Sequence, residues 1–192
     1  MTKQNYISSH PGYEELRVSD YLTHRLFLVT PDVNYAKNSL VWISDKLVGR
    51  YMGADFSVAS LEGEKKRLAD LINDKDSFNW IIECDGKPIG NISISDIKKT
   101  SDEFGEKAGS LNYIIGAREL WGKGITSSAA KSILEWAFKN GFKIVKSRVI
   151  PQNRASETVL KKLGFSEYGR EDYDGPDIGE KTWYITYKIV KS

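Results

Sequence analysis

Gly122 and Gly124, two glycines separated by one residue, form the part of this sequence with the clearest chemical meaning. They lie in segment 120–127, after an apolar run at 111–115 that predicts a strand and before a stretch that predicts a helix. Because glycine has no side chain, main-chain N–H groups can turn toward one point and a ligand can approach closely. The helix behind the loop adds its positive dipole end and N–H groups without helical partners. The segment therefore predicts an anion site, usually for a phosphate or pyrophosphate, although a turn without a ligand has the same pattern.

The elements after this loop have regular signals. Apolar residues four apart predict a helix from the loop to Asn140-Gly141, a pair that is typical of a helix end. A β-rich run follows at 144–150, and Asn153 is a good N-cap for a short helix that ends at Gly164. A strand, helix and strand in this order predict two parallel neighbours joined by a right-handed connection.

The rest of the chain contains further predicted elements in a single series, with no internal repeat. Segment 98–107 is polar and predicts a hairpin loop. Residues 1–22 form a polar extension before the first predicted strand. The patterns predict strands near 26–30, 78–84, 88–97, 166–170 and 182–190, and helices near 34–44, 46–52 and 61–72.

Composition limits the classes of protein to which the chain can belong. Its 192 residues, 40% hydrophobic, suffice for one domain with a substantial core. The net charge of +2 shows no clustered basic excess, so no nucleic-acid partner is expected. No run approaches the ~20 apolar residues of a membrane span, so no membrane partner is expected. Cys84 is the single cysteine and predicts a small buried hydrophobic residue rather than a catalytic thiol. Without an internal disulfide or a recognisable secretory leader, the expected location is cytoplasmic.

Several segments together resemble the GNAT N-acetyltransferase superfamily, and within it the RimJ/RimL-like branch of ribosomal-protein N-terminal acetyltransferases. The resemblance covers about residues 23–190 and is visible in segments 23–28 (Thr-His-Arg-Leu-Phe-Leu), 42–53, 85–92 (Asp-Gly-Lys-Pro-Ile-Gly-Asn-Ile), 121–129 (Trp-Gly-Lys-Gly-Ile-Thr-Ser-Ser-Ala) and 153–165. It implies an α/β (α+β) GNAT fold with a mixed central sheet of about seven strands, helices on both faces and a splayed strand pair that holds the coenzyme. It also implies one acetyltransferase domain at 23–192 after the extension at 1–22.

The resemblance implies an enzyme that moves an acetyl group from acetyl-CoA, its co-substrate, to a primary amine by direct attack in a ternary complex. Main-chain groups of the strand before the glycine loop are expected to pair with the pantetheine arm, with the Tyr113–Ile114 region donating to the thioester oxygen. Trp121 is expected to pack under the loop. The predicted coenzyme-binding residues are Tyr113, Ile114, Ile115, Trp121, Gly122, Lys123, Gly124, Ile125, Thr126, Ser127, Asn153 and Ser156.

The sequence identifies the catalytic groups less clearly than the coenzyme-binding residues. By resemblance, Ser156 lies near the coenzyme sulfur and could protonate the thiolate, because the tyrosine that many relatives use is replaced here by Leu160. Asn153 and Ser156 also have purely structural interpretations at the start of a helix. Glu83 and Asp96 are the candidate general bases, and an ordered-water relay is an equal alternative.

The acceptor is left open among several hypotheses. Segment 171–180 contains five carboxylates and no Lys or Arg, so it would attract a cationic amine or simply form a solvated loop. The branch resemblance favours a protein or peptide N-terminus, whereas this segment favours a small amine such as a polyamine, amino sugar or aminoglycoside. A non-catalytic acyl-CoA-binding module is the third hypothesis. No metal is expected, and the protein is expected to be a monomer or homodimer.

Overall fold

One mixed sheet organises the described part of the chain, which in this computed structural model comprises residues 3–21, 24–51, 60–175 and 181–191. Within these residues its eight strands have the spatial order β1-β2-β3-β4-β5-β6-β8-β7, and every neighbouring pair is antiparallel except β5 and β6. The strands are β1 (Leu16–Tyr21), β2 (His24–Val29), β3 (Phe78–Cys84), β4 (Lys87–Ser95), β5 (Ala108–Ile115), β6 (Ile144–Val149), β7 (Ser166–Asp172) and β8 (Trp183–Val190).

Helices cover both faces of this sheet. They are α1 (Lys3–Ser9), α2 (Ala36–Ser44), α3 (Lys46–Gly49), α4 (Leu61–Asn73), α5 (Ile97–Phe104), α6 (Ile125–Lys139) and α7 (Arg154–Lys162), with 3₁₀ turns at Val33–Tyr35 and Arg118–Leu120. The apolar rows predicted for α6 are buried, and Trp136 of this helix packs edge-on against Trp80 of β3 with ring centres 4.8 Å apart. Helix α7 lies beside α6, and α5 packs on β5 at the other face.

Side-chain alternation along β5 decides which residues meet these helices. Leu111 pairs with Ile94 and Tyr113 with Ile92, so both side chains point to the α6 and α7 face. Ser110 and Asn112 point to the opposite face, where the Ser110 hydroxyl lies 3.3 Å from that of Thr100 in α5. Strand β5 thus has two chemically different faces, apolar and aromatic on one side and polar on the other.

Residues before 22 are part of this packing. Strand β1 pairs with β2 at the sheet edge, and the indole N–H of Trp80 donates to the Glu14 carbonyl at 2.8 Å. The Tyr6 hydroxyl accepts from the main-chain N–H of Asn79 at 2.9 Å. Strand β1 also explains why the sheet exceeds the seven strands expected from the resemblance. The predicted domain boundary falls on residues 22 and 23, outside the described residues, and the division stays a prediction.

The hairpin loop predicted at 98–107 is wrong, because most of this segment forms α5. Helix α5 starts after Asp96 and ends at Gly105, whose φ of 69° is the left-handed conformation that favours glycine at a helix end. Only Thr100 of this helix is buried and most of its side chains are polar, so the short segment has the composition of a loop. The strand predicted at 88–97 consequently ends earlier, at Ser95.

The helix predicted near 46–52 is shorter, ending at Gly49, and residue 52 lies outside the described residues. Among the described residues, none of the helices has the length and apolarity required to cross a membrane.

Candidate active site

The glycine loop has the geometry that its sequence predicts. Gly122 and Gly124 have φ values of 74° and 76°, in the left-handed region that glycine adopts without strain. Gly124 is the N-cap of α6, and the first main-chain bond of the helix runs from the Ser128 N–H to the Gly124 carbonyl at 3.0 Å. The N–H groups of residues 125–127 precede this bond and have no acceptor within the helix. They lie at the positive end of a helix of 15 residues, an arrangement that favours a bound anion.

Two side chains of the loop have separate roles. The indole N–H of Trp121 donates to the Ile115 carbonyl at 2.8 Å, and the Arg118 guanidinium lies 5.8 Å from the centre of its ring. Trp121 thus ties the loop to the end of β5, although its ring remains 45% exposed rather than fully covered. Lys123 is exposed and forms no salt bridge with any described residue, so its charge can reach a bound phosphate.

Strands β5 and β6 separate partway along their length. Their parallel pairing runs from Ala108 opposite Ile144 to Ser110 opposite Lys146 and then stops, although both strands continue. At the point of separation, the Ser147 hydroxyl donates to the Leu111 carbonyl at 3.0 Å. The splayed strand pair expected from the resemblance is therefore present.

A cavity of about 490 Å³ lies beside the part of β5 that β6 leaves unpaired, and we call it the inter-strand cavity. Its walls come from β5, the glycine loop, α7 and α3, and most of its surface is apolar. The residues that line it include Leu47, Val48, Tyr51, Tyr113, Ile114, Ile115, Leu120, Trp121, Gly122, Gly124, Ile125, Thr126, Ser127, Asn153, Ala155, Ser156, Val159 and Lys162. All the predicted coenzyme-binding residues except Lys123 line this cavity.

Asn153 and Ser156 enter the cavity from the start of α7. The Asn153 side-chain oxygen accepts from the Ser156 main-chain N–H at 3.2 Å, so its capping role is present. The Ser156 hydroxyl lies 2.8 Å from the hydroxyl of Tyr113, and burial raises the pKa of Tyr113 to about 12. Leu160, one turn further on, is fully buried in the core.

The two candidate bases lie at opposite ends of the sheet. Glu83 is the next-to-last residue of β3, opposite Pro88, and accepts a hydrogen bond from the Tyr35 hydroxyl at 2.9 Å. The whole width of β4 separates it from β5. Asp96 directly follows β4 in a left-handed conformation, with φ of 49°. The Asn112 amide of β5 donates to the Ser95 hydroxyl at 2.9 Å, and that hydroxyl donates to the Asp96 carboxylate at 3.1 Å. The structure therefore connects Asp96, and not Glu83, to β5.

Asp96 borders a second cleft of about 140 Å³ on the polar face of β5, which we call the polar cleft. Its lining includes three carboxylates and three cations, which are Asp96, Glu171 and Asp174 with Lys99, Lys146 and Arg148. Ser110 and Asn112 form its floor on β5.

Most of the carboxylates in the described part of segment 171–180 are paired with cations. Glu171 and Asp172 belong to β7 rather than to a loop, and residues 176–180 lie outside the described residues. Arg148 lies 3.6 Å from Glu171 and 3.8 Å from Asp174, and its guanidinium lies 4.3 Å above the Tyr184 ring. The protein's own cations thus offset the negative field at this end of the cleft.

Within the described residues, His24, Cys84 and Asp85 bring three potential metal-ligand atoms within 4.8 Å of one another. Hydrogen bonds account for this arrangement, because Asp85 accepts from the Arg25 main-chain N–H at 3.0 Å and pairs with His24 at 2.7 Å. These bonds lower the pKa of the Asp85 carboxyl, the Arg25 N–H being the largest cause. Cys84 is 6% exposed, as expected for a buried hydrophobic residue. The expectation of a metal-free protein stays a prediction.

A family model for the acetyltransferase (GNAT) domain matches residues 25–166. The chain belongs to the GNAT acetyltransferase family. Among curated proteins, the N-acetyltransferase 9-like protein of Caenorhabditis briggsae is 29% identical over 133 residues, which cover 65% of this chain and 66% of that protein. The match thus spans slightly less than two thirds of that relative's length.

Solved GNAT structures agree with this fold. Mycobacterium smegmatis RimJ, in complex with CoA-disulfide, has a TM-score of 0.77 at 19% identity, with 94% of this chain and 90% of that chain covered. Spermidine N-acetyltransferase of Vibrio cholerae, in complex with CoA and spermine, has a TM-score of 0.73 at 16% identity, with coverages of 86% and 95%. Both structures share the fold of this chain.

Sequence reasoning missed several residues of this GNAT site. Tyr113 was expected to contribute main-chain groups, whereas its side chain reaches α7 across the cavity. Arg148 was missed because its partners are distant in the sequence, and no local pattern brings β6 and β7 together. The Trp42…Val48…Tyr51 spacing was a usable signal for α3, because Val48 and Tyr51 line the inter-strand cavity.

Proposed function

We propose that this protein transfers an acetyl group from acetyl-CoA to the α-amino group of a protein or peptide. The observation that supports this most directly is the two-sided character of β5. Tyr113 and Ile115 line the inter-strand cavity, whereas Ser110 and Asn112 line the polar cleft on the opposite face. A coenzyme in the cavity would present its thioester in the gap between the strands, and an amine would reach it from the polar cleft.

The coenzyme fits the cavity by chemistry as well as by shape. Its pyrophosphate would accept from the unpaired N–H groups at the start of α6, with Lys123 supplying a positive charge. The pantetheine amides would pair with main-chain groups of β5 that β6 leaves unpaired beyond Ser110. The Ile115 carbonyl already accepts from Trp121, so the pairing is expected mainly at residues 112–114.

The reaction requires a neutral amine, which attacks the thioester carbon while the C–S bond breaks and its electron pair goes to sulfur. An α-amino group with pKa of about 8 is about one tenth neutral at pH 7, whereas a lysine side chain with pKa of about 10.4 is neutral in fewer than about one molecule in a thousand. Asp96 lies at the cleft and would accept the released proton directly or through water. The Tyr113–Ile114 main chain would donate to the developing oxyanion.

The charge balance of the polar cleft supports a peptide over a polycation. Three carboxylates face three cations there, and Arg148 lies within 4 Å of two of these carboxylates, Glu171 and Asp174. Such a surface has little net attraction for a multiply charged amine. Its mixture of amide, hydroxyl and charged groups can instead hydrogen-bond the main chain that follows a single α-amine.

A small amine remains the second candidate, because segment 171–180 has five carboxylates in the sequence and a spermidine N-acetyltransferase has a similar fold. Replacing Asp172, Asp174 and Asp177 together by asparagine separates the two candidates. If the acceptor is a polyamine, the triple variant should have a higher KM for it than the wild type at low salt, with kcat little changed. This difference in KM should shrink above about 0.1 M salt. A peptide acceptor with one charge would show only a small change.

The decisive experiment is a screen of N-terminal peptides, polyamines, amino sugars and aminoglycosides with acetyl-CoA, followed by detection of the released thiol. Turnover with free N-terminal peptides, and its loss with N-acetylated ones, would support the proposal. Turnover with small amines alone would contradict the acceptor. Coenzyme binding without turnover on any panel would favour a binding module and contradict the enzymatic proposal.

A further inference from the structure

Two hydroxyl groups from different elements meet inside the inter-strand cavity. The Tyr113 hydroxyl, from β5, lies 2.8 Å from the Ser156 hydroxyl and 3.3 Å from the Ser156 carbonyl, at the first turn of α7. The Asn153 cap fixes the Ser156 main chain, and the Tyr113 side chain packs against the hydrophobic core. Both residues line the cavity in which the coenzyme would lie. The pair is therefore held by two rigid elements on opposite sides of the gap.

We infer that Tyr113 is a positioning residue that directs the Ser156 hydroxyl proton toward the coenzyme sulfur, so that this hydroxyl stabilises the leaving thiolate by a hydrogen bond. The inference rests on the proposed function and concerns the same site. A serine hydroxyl has one proton and accepts through its lone pairs. The Tyr113 proton can go to the Ser156 hydroxyl oxygen at 2.8 Å or to the Ser156 carbonyl at 3.3 Å, and either hydroxyl can donate in the 2.8 Å contact. The inference requires the arrangement in which Tyr113 donates to the Ser156 hydroxyl, because the serine proton then points elsewhere. The open direction is the cavity.

The Ser156 hydroxyl stabilises the thiolate by donating a hydrogen bond rather than by transferring its proton. A thiol has an ordinary pKa of about 8.5, whereas burial raises the pKa of Tyr113 to about 12. Moving a proton from Tyr113 through Ser156 to the thiolate would thus be strongly unfavourable. A hydrogen bond from Ser156 stabilises the sulfur's electron pair as the C–S bond breaks and leaves both hydroxyls intact. The thiolate takes its proton from solvent, and the amine proton leaves through the polar cleft.

Leu160 offers no hydroxyl group one turn beyond Ser156, and the partner of Ser156 comes from β5. Leu160 lies one turn beyond Ser156 on α7 and is fully buried. The next turn of the helix therefore offers the sulfur no donor, and Tyr113 reaches the same region from the facing strand.

The test uses coenzyme binding and needs no acceptor. Calorimetry measures the affinities of CoA and of desulfo-CoA, which lacks the sulfur, between pH 7 and about pH 9.5 for the wild type, Tyr113→Phe and Ser156→Ala. In the wild type, the ratio of CoA to desulfo-CoA affinity should rise by about sevenfold over this range, as expected for a thiol whose pKa falls by about one unit from its ordinary value of about 8.5 on binding. In each single variant the rise should be at least about threefold smaller than in the wild type. The double variant should show the same rise as the single variants.

Two other titratable groups line the cavity, Tyr51 and Lys162, and Lys123 lies next to it between Gly122 and Gly124. They act on the phosphates of both ligands alike, so the ratio removes most of their effect. Tyr187→Phe is the matched control, because its hydroxyl bonds Glu157 of the same helix at 3.0 Å but does not line the cavity. This control should keep the wild-type ratio, and thermal melts should show that each variant is folded.

The outcomes separate the inference from the proposed function. Failure of the wild type to bind either ligand would overturn both. Tight binding of both ligands with the same ratio in all variants would overturn the inference alone. A ratio changed by Ser156→Ala but not by Tyr113→Phe would leave no role for the tyrosine, and equal weakening of both ligands would make the pair merely structural.

Discussion

Replacing Gly124 by aspartate tests whether the glycine loop binds a pyrophosphate. Gly124 has φ of 76° and ψ of 3° and begins α6, so a side chain there would project among the N–H groups that precede the first helical bond. An aspartate would bring its own negative charge to this point and would compete for the same N–H groups. Gly124→Asn is the matched control, because asparagine has nearly the same shape, tolerates this conformation and is neutral.

The expected loss follows from Coulomb's law. A carboxylate about 6 Å from a phosphate charge is repelled by about 0.7 kcal/mol in bulk water and by about 2.8 kcal/mol at the effective dielectric constant of a protein surface. For a pyrophosphate that is partly solvated, we expect aspartate to weaken CoA binding by about 2 to 3 kcal/mol relative to asparagine, or about 30- to 150-fold. Both variants share the backbone strain, so their difference isolates the charge.

Titration calorimetry with CoA at about 0.02 M and about 0.5 M salt measures this difference. The gap between aspartate and asparagine should narrow at the higher salt, because the Debye length falls from about 20 Å to about 4 Å. If Gly124→Asp binds CoA as tightly as Gly124→Asn at low salt, the loop is an ordinary turn and the coenzyme assignment fails.

Three further predictions concern the bases, an ion-pair cluster and a packing glycine. Asp96→Asn should lower kcat/KM for the acceptor by about 10- to 100-fold at neutral pH without changing CoA affinity. Glu83→Gln should change kcat/KM less than about threefold. A larger effect of Glu83→Gln than of Asp96→Asn would contradict the choice of Asp96 as the base. Hydrogen bonds from Lys161, Arg154 and Tyr187 lower the pKa of Glu157 to about 2, below its unfolded value. Its contribution to stability is therefore present above pH of about 4.5 and lost as pH falls toward 2, and Glu157→Gln should flatten this part of the stability curve in urea melts at several pH values. A methyl group at Gly116 would lie 1.9 Å from the Trp42 ring, so Gly116→Ala should lower the free energy of unfolding by at least about 2 kcal/mol, and an unchanged urea midpoint would refute this contact.

Local chemistry made parts of this molecule predictable from sequence. Gly122 and Gly124 adopt the positive φ values that their loop requires, and the spacing of Ala129, Ile133 and Ala137 determines which side of α6 is buried. These features depend on residues within a few positions of one another.

Features that depend on distant residues were harder to predict. The splayed strand pair was expected from family resemblance, but the end of pairing at Ser110 was not, because no local pattern states where two parallel strands part. Helix α5 was missed because it buries only Thr100. Strand β1 was missed because it is defined by its pairing with β2, which the local sequence does not reveal. The contact between Tyr113 and Ser156 joins residues 43 positions apart, and neither residue predicts the other.

The short pairing between β5 and β6 has a consequence for how the molecule opens. Three residue pairs and the Ser147 bond connect the two strands, whereas β6 pairs with β8 along its whole length. The sheet thus has its shortest strand pairing between β5 and β6, and this seam separates strands β1 to β5 from strands β6 to β8. A coenzyme whose amides completed the missing pairs would strengthen this seam and slow amide hydrogen exchange on both strands. Exchange at residues 112–115 and 147–149 would then report occupancy of the cavity before any acceptor is known.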